Sequence, residues 1–523
     1  TGVSMADVNG DGWTDIYVCN SGNLPGEANR NTLYINNGDL TFTEQAEKYG
    51  IDGTGNSTQG VFFDYDKDGD LDLYLLNNHS KAIGSFNLKD NQRLVRDSLG
   101  GDNLFRNDGD KFTDVSVKAG IYGSVIGFGL GVTVGDVNQD GWMDIYVSND
   151  FFERDYLYIN NHDGTFKEKL TEMMPSISAA SMGADMADIN NDHYPEVFAT
   201  DMVPEHNDRL KTKTTFDNWE GYVNYAKNGY YYQFTRNMLQ LNNTDGTFSE
   251  IGRFAGVNAT DWSWGALIMD FDNDGMKDLF VANGIYKDLT DQDYIQFFSN
   301  RDMVMSIIMG KNVDYKTLID AIPSVKIPSY AFRNMGNLRF ENAASEWGLD
   351  TPSFSNGSAY GDLDNDGDLD LVVNNVNMPM FIYRNEANTL LPDHHYLKLI
   401  LKGEQGNTEA IGAKVTIKHK GKLIYLEQMP MRGYLSTVDP RPNPGLGPWT
   451  TVDSLIITWP DDRTTLMTNV ATNQVLTLYQ KDAKTLAPTP QDKNNDQDAC
   501  FKEISGEKRV RFVHREDDFK DFE

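Results

Sequence analysis

The chain has 523 residues, with 46 Lys and Arg against 78 Asp and Glu, for a formal net charge of −32. That length suits two to four domains and a large core, and that charge argues against a nucleic acid or an anionic membrane as partner. Two distant cysteines, Cys19 and Cys500, imply no disulfide framework, and no run of 18 or more apolar residues is present to span a membrane as a helix.

Taken in order, the chain repeats itself. Residues 7–15 read D-V-N-G-D-G-W-T-D. The pattern returns at 64–72 (D-Y-D-K-D-G-D-L-D), 136–144 (D-V-N-Q-D-G-W-M-D), 188–196 (D-I-N-N-D-H-Y-P-E), 270–278 (D-F-D-N-D-G-M-K-D) and 362–370 (D-L-D-N-D-G-D-L-D). The first aspartates are 57, 72, 52, 82 and 92 residues apart, so the unit is constant while its insertions vary. An apolar run follows each copy, such as Ile16-Tyr17-Val18 or Leu279-Phe280-Val281. Further on comes a second phrase, such as L-Y-I-N-N-G from Leu33 or L-F-R-N-D-G from Leu104, usually leading to a phenylalanine. Each unit therefore reads as strand, acidic loop, strand, connection, strand, Asn/Gly turn, strand. Four-stranded units repeated radially are the blades of a β-propeller, so an all-β propeller is expected over residues 1–388.

The acidic loops carry the chemistry. Oxygen donors recur at alternate positions 1, 3, 5, 7 and 9, with glycine at 6 for a sharp turn, a shortened form of the EF-hand pattern. The candidate ligands are Asp7, Asn9, Asp11, Trp13 and Asp15; Asp64, Asp66, Asp68, Asp70 and Asp72; and Asp136, Asn138, Asp140, Trp142 and Asp144. The later copies supply Asp188, Asn190, Asp192, Tyr194 and Glu196; Asp270, Asp272, Asp274, Met276 and Asp278; and Asp362, Asp364, Asp366, Asp368 and Asp370. Where position 7 lacks a carboxylate, its backbone carbonyl is the expected donor. At about 4 Å each like-charge pair costs roughly 1 kcal/mol in water and about 4 at a surface-like dielectric, so a folded turn holding these carboxylates needs a cation. Oxygen-only, flexible, carboxylate-rich sites favour Ca²⁺. Up to about six ions are expected, and they would bring the formal charge to about −20. The loop at Asp188 has His193 in place of glycine and is the one expected to be weak or empty.

Three insertions interrupt the repeat. Residues 86–99 are polar. Residues 200–237 carry Trp219, Tyr222, Tyr225, Tyr230, Tyr231, Tyr232 and Phe234, which either pack the insertion onto its scaffold or stack on sugars. Trp262 and Trp264 precede the fifth loop on a strand, with a central channel or an inter-blade core as their expected place. Residues 288–327 predict a helix capped by Thr290 or Asp291 and running through Phe297, Phe298, Val304, Ile307 and Ile308, then a second over 315–322, ended by Pro323 and Pro328. A helical hairpin on one face is the plain reading, and a partner-docking element is the sharper one.

Beyond residue 388 the pattern changes. Strands are predicted at 396–401, 413–419, 423–428, 452–459 and 474–479, forming a small β-sandwich-like domain over 395–480. Residues 481–523 read as a linker and tail. Thr1 falls inside a repeat and the last residues stop in a charged run, so the chain reads as a piece of a longer one, in which upstream sequence completes a seventh blade.

The D-x-[DN]-x-D-G-x-x-D loops and the flanking G-F-G-L-G-V-T-V-G-D at 127–136 resemble FG-GAP or VCBS repeats over about residues 1–385. The phrases A-I-G-A-K-V-T-I from Ala410, R-G-Y-L-S from Arg432, G-L-G from Gly445 and V-D-S-L-I-I-T-W-P-D from Val452 are similar to the ASPIC/UnbV domain. The proline-rich stretch 439–448 departs from that pattern. The pairing occurs in animal cartilage acidic proteins and in surface proteins of Bacteroidota. It implies a calcium-binding, secreted or cell-surface protein, outer-membrane-associated and lipid-anchored if bacterial, whose partners are proteins or glycans, and in Bacteroidota an outer-membrane TonB-dependent transporter assembly. No G-x-S-x-G, H-E-x-x-H or glycine-rich phosphate loop is present, and the carboxylates are claimed by the loops. A non-catalytic adhesive or scaffolding propeller is therefore expected. The alternative is an extracellular hydrolase or lyase acting on polysaccharide from the propeller face.

Overall fold

The first five acidic loops each lie inside a four-stranded antiparallel sheet whose strands are neighbours in chain order. In this computed structural model the described residues are 2–22, 30–79, 81–213, 219–299 and 315–485. Unit one comprises Val3–Ala6, Asp15–Val18, Thr32–Asn36 and Phe42–Glu44. Unit two comprises Ser57–Phe63, Asp72–Asn77, Asn103–Asn107 and Phe112–Asp114. Units three, four and five repeat the order, with second strands Asp144–Asn149, Glu196–Ala199 and Asp278–Asn283. These second strands are buried throughout, because a neighbouring sheet covers each face. That position selects the β-branched, aromatic and leucine side chains found there. Unit six departs from the expected four strands: it has Ser355–Gly361, Asp370–Asn375 and Phe381–Tyr383. After Tyr383 there is no Asn/Gly turn followed by a phenylalanine; the chain instead makes a helical turn at Ala387–Leu390 and leaves for the next sheet.

The first strand of each unit lies against the first strand of the next, from unit one to unit six. Neighbours are also stitched by an asparagine that ends the third strand or, in unit six, follows it by two residues. Asn107, Asn160, Asn242, Asn334 and Asn385 each donate from Nδ2 to the carbonyl at position 2 of the preceding unit's loop: Val8, Tyr65, Val137, Ile189 and Phe271. Asn36 of unit one has only Thr14 of its own unit as acceptor among the described residues. The flank of unit six is correspondingly bare. Leu33, Leu104, Leu157, Leu239 and Ala331 are buried under the next unit, whereas Ile382 at the same register is 65% exposed. Val8, Tyr65, Val137, Ile189 and Phe271 are buried, whereas Leu363 is 57% exposed. The opposite flank of unit one mirrors this: Phe62, Val134, Met186 and Ile268 are buried, and Met5 is 40% exposed.

The insertion of unit four forms two helices, Asn207–Lys213 and Trp219–Lys227, and a short parallel pair, Ile177–Ser178 with Gln233–Phe234. Trp262 and Trp264 pack with Leu130, Met182, Tyr434 and Leu435 at the loop-distant ends of the first strands. The insertion of unit five gives Gln292–Phe298 and Tyr315–Asp320; Val304, Ile307 and Ile308 lie outside the described residues, as do Cys500 and the tail from 486. Cys19 is buried, which pushes its thiol up to about 12.

The later region has two sheets. One orders Gly445–Gly447, His395–Lys402 and Gln474–Tyr479, the last pair parallel; the other orders Lys422–Glu427, Lys414–His419, Thr451–Thr458 and Thr464–Ala471. Leu397, Leu399, Val415, Ile417, Leu455 and Ile457 from both sheets share one core. Thr464–Ala471 was not expected, since its threonines and Asn469 give no apolar alternation. Residues 430–439 leave these sheets and run among the first strands of the units. Leu435 O accepts from Val3 N, Asp439 N donates to Tyr360 O, and Gly433 bridges Ala184. Arg432 reaches Met186 O and lies 3.7 Å from Asp185.

The stitches give a prediction. Asn334→Ala strands the carbonyls of Ile189 and Lys277 and is expected to cost about 2 kcal/mol in urea unfolding. Asn36→Ala, which breaks only bonds within unit one, to Thr14 O and from Gly38 N, is expected to cost clearly less; equal losses would show that the contact between units contributes nothing.

Candidate metal centres

All six loops share one backbone path. Position 4 is left-handed in every copy, with φ between 56° and 71° at Gly10, Lys67, Gln139, Asn191, Asn273 and Asn365. Position 6 is left-handed again, at 83–99°, and is glycine in five copies. His193 holds φ 83° there, in a region that costs a Cβ-bearing residue about 1 kcal/mol or more. Its ring packs on Tyr425, at 5.2 Å between centroids.

The hydrogen bonds sort the five positions. The first aspartate accepts the N–H of position 6 on Oδ2 in every loop: Gly12, Gly69, Gly141, His193, Gly275 and Gly367. The position-5 carboxylate accepts the N–H of position 7, as Asp11 does from Trp13 and Asp274 from Met276. The ninth residue takes the N–H of position 2 on one oxygen, as Asp15 from Val8 and Asp278 from Phe271. Its other oxygen takes the N–H of the third-strand asparagine: Asn36 to Asp15, Asn107 to Asp72, Asn160 to Asp144, Asn334 to Asp278 and Asn385 to Asp370, at 2.8–2.9 Å.

Carboxylate oxygens of positions 1, 3 and 9 converge within 4.8 Å in three loops: Asp64, Asp66 and Asp72; Asp270, Asp272 and Asp278; Asp362, Asp364 and Asp370. In the loops at Asp7, Asp136 and Asp188, position 3 is Asn9, Asn138 or Asn190, whose amide donates to the position-5 carboxylate. Positions 5 and 7 stand outside the three converging groups. However, Asp64, Asp66 and Asp70 each keep a buried Oδ1 with no donor, and so does Asp368. Buried carboxylate oxygens without donors are costly unless a cation meets them. Such Asp-rich groups could hold a metal ion, and the loop at Asp64 fits best, since Asp64, Asp66 and Asp72 converge there and Asp64, Asp66 and Asp70 keep donorless oxygens.

The electrostatics agree. Burial, then Asp68 and Asp66, push the Asp64 carboxyl up to about 7. Burial and Asp68 take Asp70 to about 7, burial and Asp366 take Asp368 to about 7, and burial and Asp272 take Asp274 to about 6. Asp72, Asp270 and Asp278 lie well above the usual carboxylate range, chiefly through burial.

Two sets of residues were missed in the sequence. Asn20, Asn77, Asn149, Asp201, Asn283 and Asn375 all fall five residues after the ninth position. Asn77 and Asn375 accept the hydroxyls of Ser57 and Ser355 at 2.8 Å, and Asn149 accepts the Phe128 N–H. Their constant spacing was a usable signal. The second set comes from the later sheets, which touch all six loops. Thr408 donates to Asp7, Gly406 N to Gly69 O, Lys414 pairs with Asp136 and Lys398 with Asp362; Tyr425 packs on His193, and Gly447 N donates to Asn273 O. His394 is half-buried with Nδ1 2.6 Å from Asp272 O.

Of the aromatic insertion, Tyr230 is buried against Phe152, whereas Trp219, Tyr222 and Tyr232 form a partly exposed stack with centroids 5.5 and 6.0 Å apart. The packing reading therefore holds for Tyr230.

Repeated loop–strand units of this kind define a class. Residues 7–75, 136–199 and 227–281 match the FG-GAP-like repeat, and residues 403–485 match the ASPIC and UnbV family. The chain thus carries FG-GAP-like repeats together with an ASPIC and UnbV domain. It is similar to Cartilage acidic protein 1 of Homo sapiens, 24% identical over 531 residues, covering 94% of this chain and 74% of that protein. Among solved structures, the Photorhabdus luminescens Tc holotoxin pore overlaps 74% of this chain and 14% of its own (11% identity, TM-score 0.30). The V. cholerae biofilm matrix protein Bap1 overlaps 80% of this chain and 60% of its own (12% identity, TM-score 0.25). Both overlaps are too loose to bear on the fold.

Two outcomes are expected. His193→Gly relieves the left-handed strain and gains about 1 kcal/mol in urea unfolding, less what the Tyr425 contact contributes. Second, the raised carboxyls bind protons more tightly folded than unfolded. Their stabilising contribution is therefore full below pH 3.8 and lost as pH rises through about 7. A bound cation reverses this by holding them ionised. The rise in melting temperature on adding cation to chelated protein should be larger at pH 8 than at pH 5.5; a pH-independent rise would contradict it.

Proposed function

We propose that this chain is a calcium-stiffened β-propeller that acts outside the cell as a non-catalytic binding scaffold for a protein or glycan. The observation that carries the metal part is the set of donorless buried oxygens on Asp64, Asp66 and Asp70, an oxygen-only site suited to Ca²⁺. When bound, the ion supplies charge neutralisation, which lets Asp64, Asp66, Asp70 and their counterparts hold each turn rigid. The radial arrangement is supported by the stitching of successive units and by their adjacent first strands. The bare flanks at Met5 and Ile382 fit a seventh unit between units six and one. The extracellular setting is supported by the repeat class and by calcium sites, which suit calcium-rich surroundings. The exposed stack of Trp219, Tyr222 and Tyr232 supports a glycan as one class of ligand.

Calcium titration is expected to raise the melting temperature by several degrees where equal magnesium gives less. Asp66→Ala should remove one binding site while Asp192→Ala changes the titration little. An unchanged melt with calcium or with EGTA would end the calcium reading. Glycan-array binding without product release tests the scaffold reading, and release of cleaved sugar would replace it with the polysaccharide-acting enzyme.

A further inference from the structure

The later sheets bring positive charge down onto the acidic loops, and they do so unevenly. Lys398 places Nζ 2.7 Å from Asp362 Oδ2, with side chains only 3% and 1% exposed. Lys414 pairs with Asp136 Oδ2, whose side chain is fully buried, and Glu427 accepts the Asp136 N–H. At the first loop the donor is a neutral hydroxyl, Thr408 Oγ1, on Asp7 Oδ2. Among the described residues Asp64 and Asp270 themselves have no ion pair, but in the loop at Asp270 Arg333 lies 3.6 Å from Asp272; Gly445 lies over Asp270. The six loops are thus built alike and capped differently.

The oxygen that each ammonium meets fixes the consequence. It is Oδ2 of the first aspartate, the same oxygen that accepts the glycine N–H of Gly141 or Gly367. A cation held by the loop and the ammonium would therefore share one carboxylate. Like charges sharing a buried carboxylate repel with little solvent screening. The backbone of each lysine is held in place, because its strand is paired on both sides: Lys398's between Gly445–Gly447 and Gln474–Tyr479, and Lys414's between Lys422–Glu427 and Thr451–Thr458; the Lys398 side chain is also enclosed.

We propose that Lys398 and Lys414 are built-in competitors of the divalent cation, which weaken the loops at Asp362 and Asp136 and leave the loop at Asp64 as the tight site. The loop at Asp362 has the full set of five carboxylates, so composition alone ranks it with the tightest; the ammonium lowers it. By linkage, a cation entering either lysine-capped loop loosens the seating of the later sheets by the same factor that their seating weakens the cation. The ASPIC and UnbV region is therefore a sensor of cation level laid over the loops. This rests on the calcium reading above.

The test is calorimetric titration of calcium into the full chain as wild type, Lys398→Met, Lys414→Gln and, as control, Lys402→Met, an exposed lysine on the same strand as Lys398. Each of the first two variants is expected to tighten one site on the order of tenfold, within the usual range for coupled sites, and the control to leave all sites unchanged. Without calcium, Lys398→Met leaves Asp362 buried and unpaired and should melt lower than wild type. Added calcium should restore the difference, which a merely structural lysine would not allow. Lys414→Gln, at the less enclosed pair, keeps the test open should Lys398→Met fail to fold. Unchanged or weaker sites in both variants, or a melting loss that calcium does not restore, overturn the proposal. If wild type binds calcium and Asp66→Ala loses one site while both lysine variants bind as wild type, this inference alone falls. If wild type binds none, the calcium reading falls with it.

Discussion

The carboxylate at the ninth position of each acidic loop accepts one N–H from the loop and, in all units, one from the asparagine ending the third strand. That double acceptance ties loop, second strand and third strand into one piece. The same asparagine then reaches across to the preceding unit through its side chain. A single polar residue thus transmits the position of one turn to the next, and the apolar faces between sheets close over it. These hydrogen bonds are obligatory, because a carboxyl group this deep has no water to fall back on.

Much of this was legible in the sequence. The loops, the strands on either side and the four-strand count of units one to five follow from turn chemistry and local alternation. The missing fourth strand of unit six was equally local, since no Asn/Gly turn and phenylalanine follow Tyr383. What stayed hidden joins residues far apart. Lys398 and Asp362 are 36 residues apart, Lys414 and Asp136 are 278 apart, and neither lysine stands out within its strand. The stitches were half visible: the asparagines were noticed as turn residues, but their acceptors lie in other units. Thr464–Ala471 escaped because its pairing with Thr451–Thr458, rather than any apolar face, makes it a strand.

The loops also show that one sequence pattern can serve different ends. A converging set of three carboxylates forms where position 3 is aspartate, at Asp66, Asp272 and Asp364. Where it is asparagine the amide turns inward and satisfies position 5 instead. His193 keeps the same backbone path at a steric cost, so the turn itself is retained even in the copy that lacks the glycine. Shape is conserved among the copies more strictly than chemistry, as a scaffold of stacked sheets demands.

The segment 430–439 has a bearing on how the molecule is made. Its contacts with Val3, Ala184, Met186 and Tyr360 complete the middle of the array, yet every one of those partners is synthesised earlier. On a chain made from its N-terminus, the first strands of the units therefore precede the segment that pairs with them. Until residues 430–439 are made, Val3 N, Met186 O and Tyr360 O lack those partners, and exposed strand edges and apolar surface are hazards at that stage.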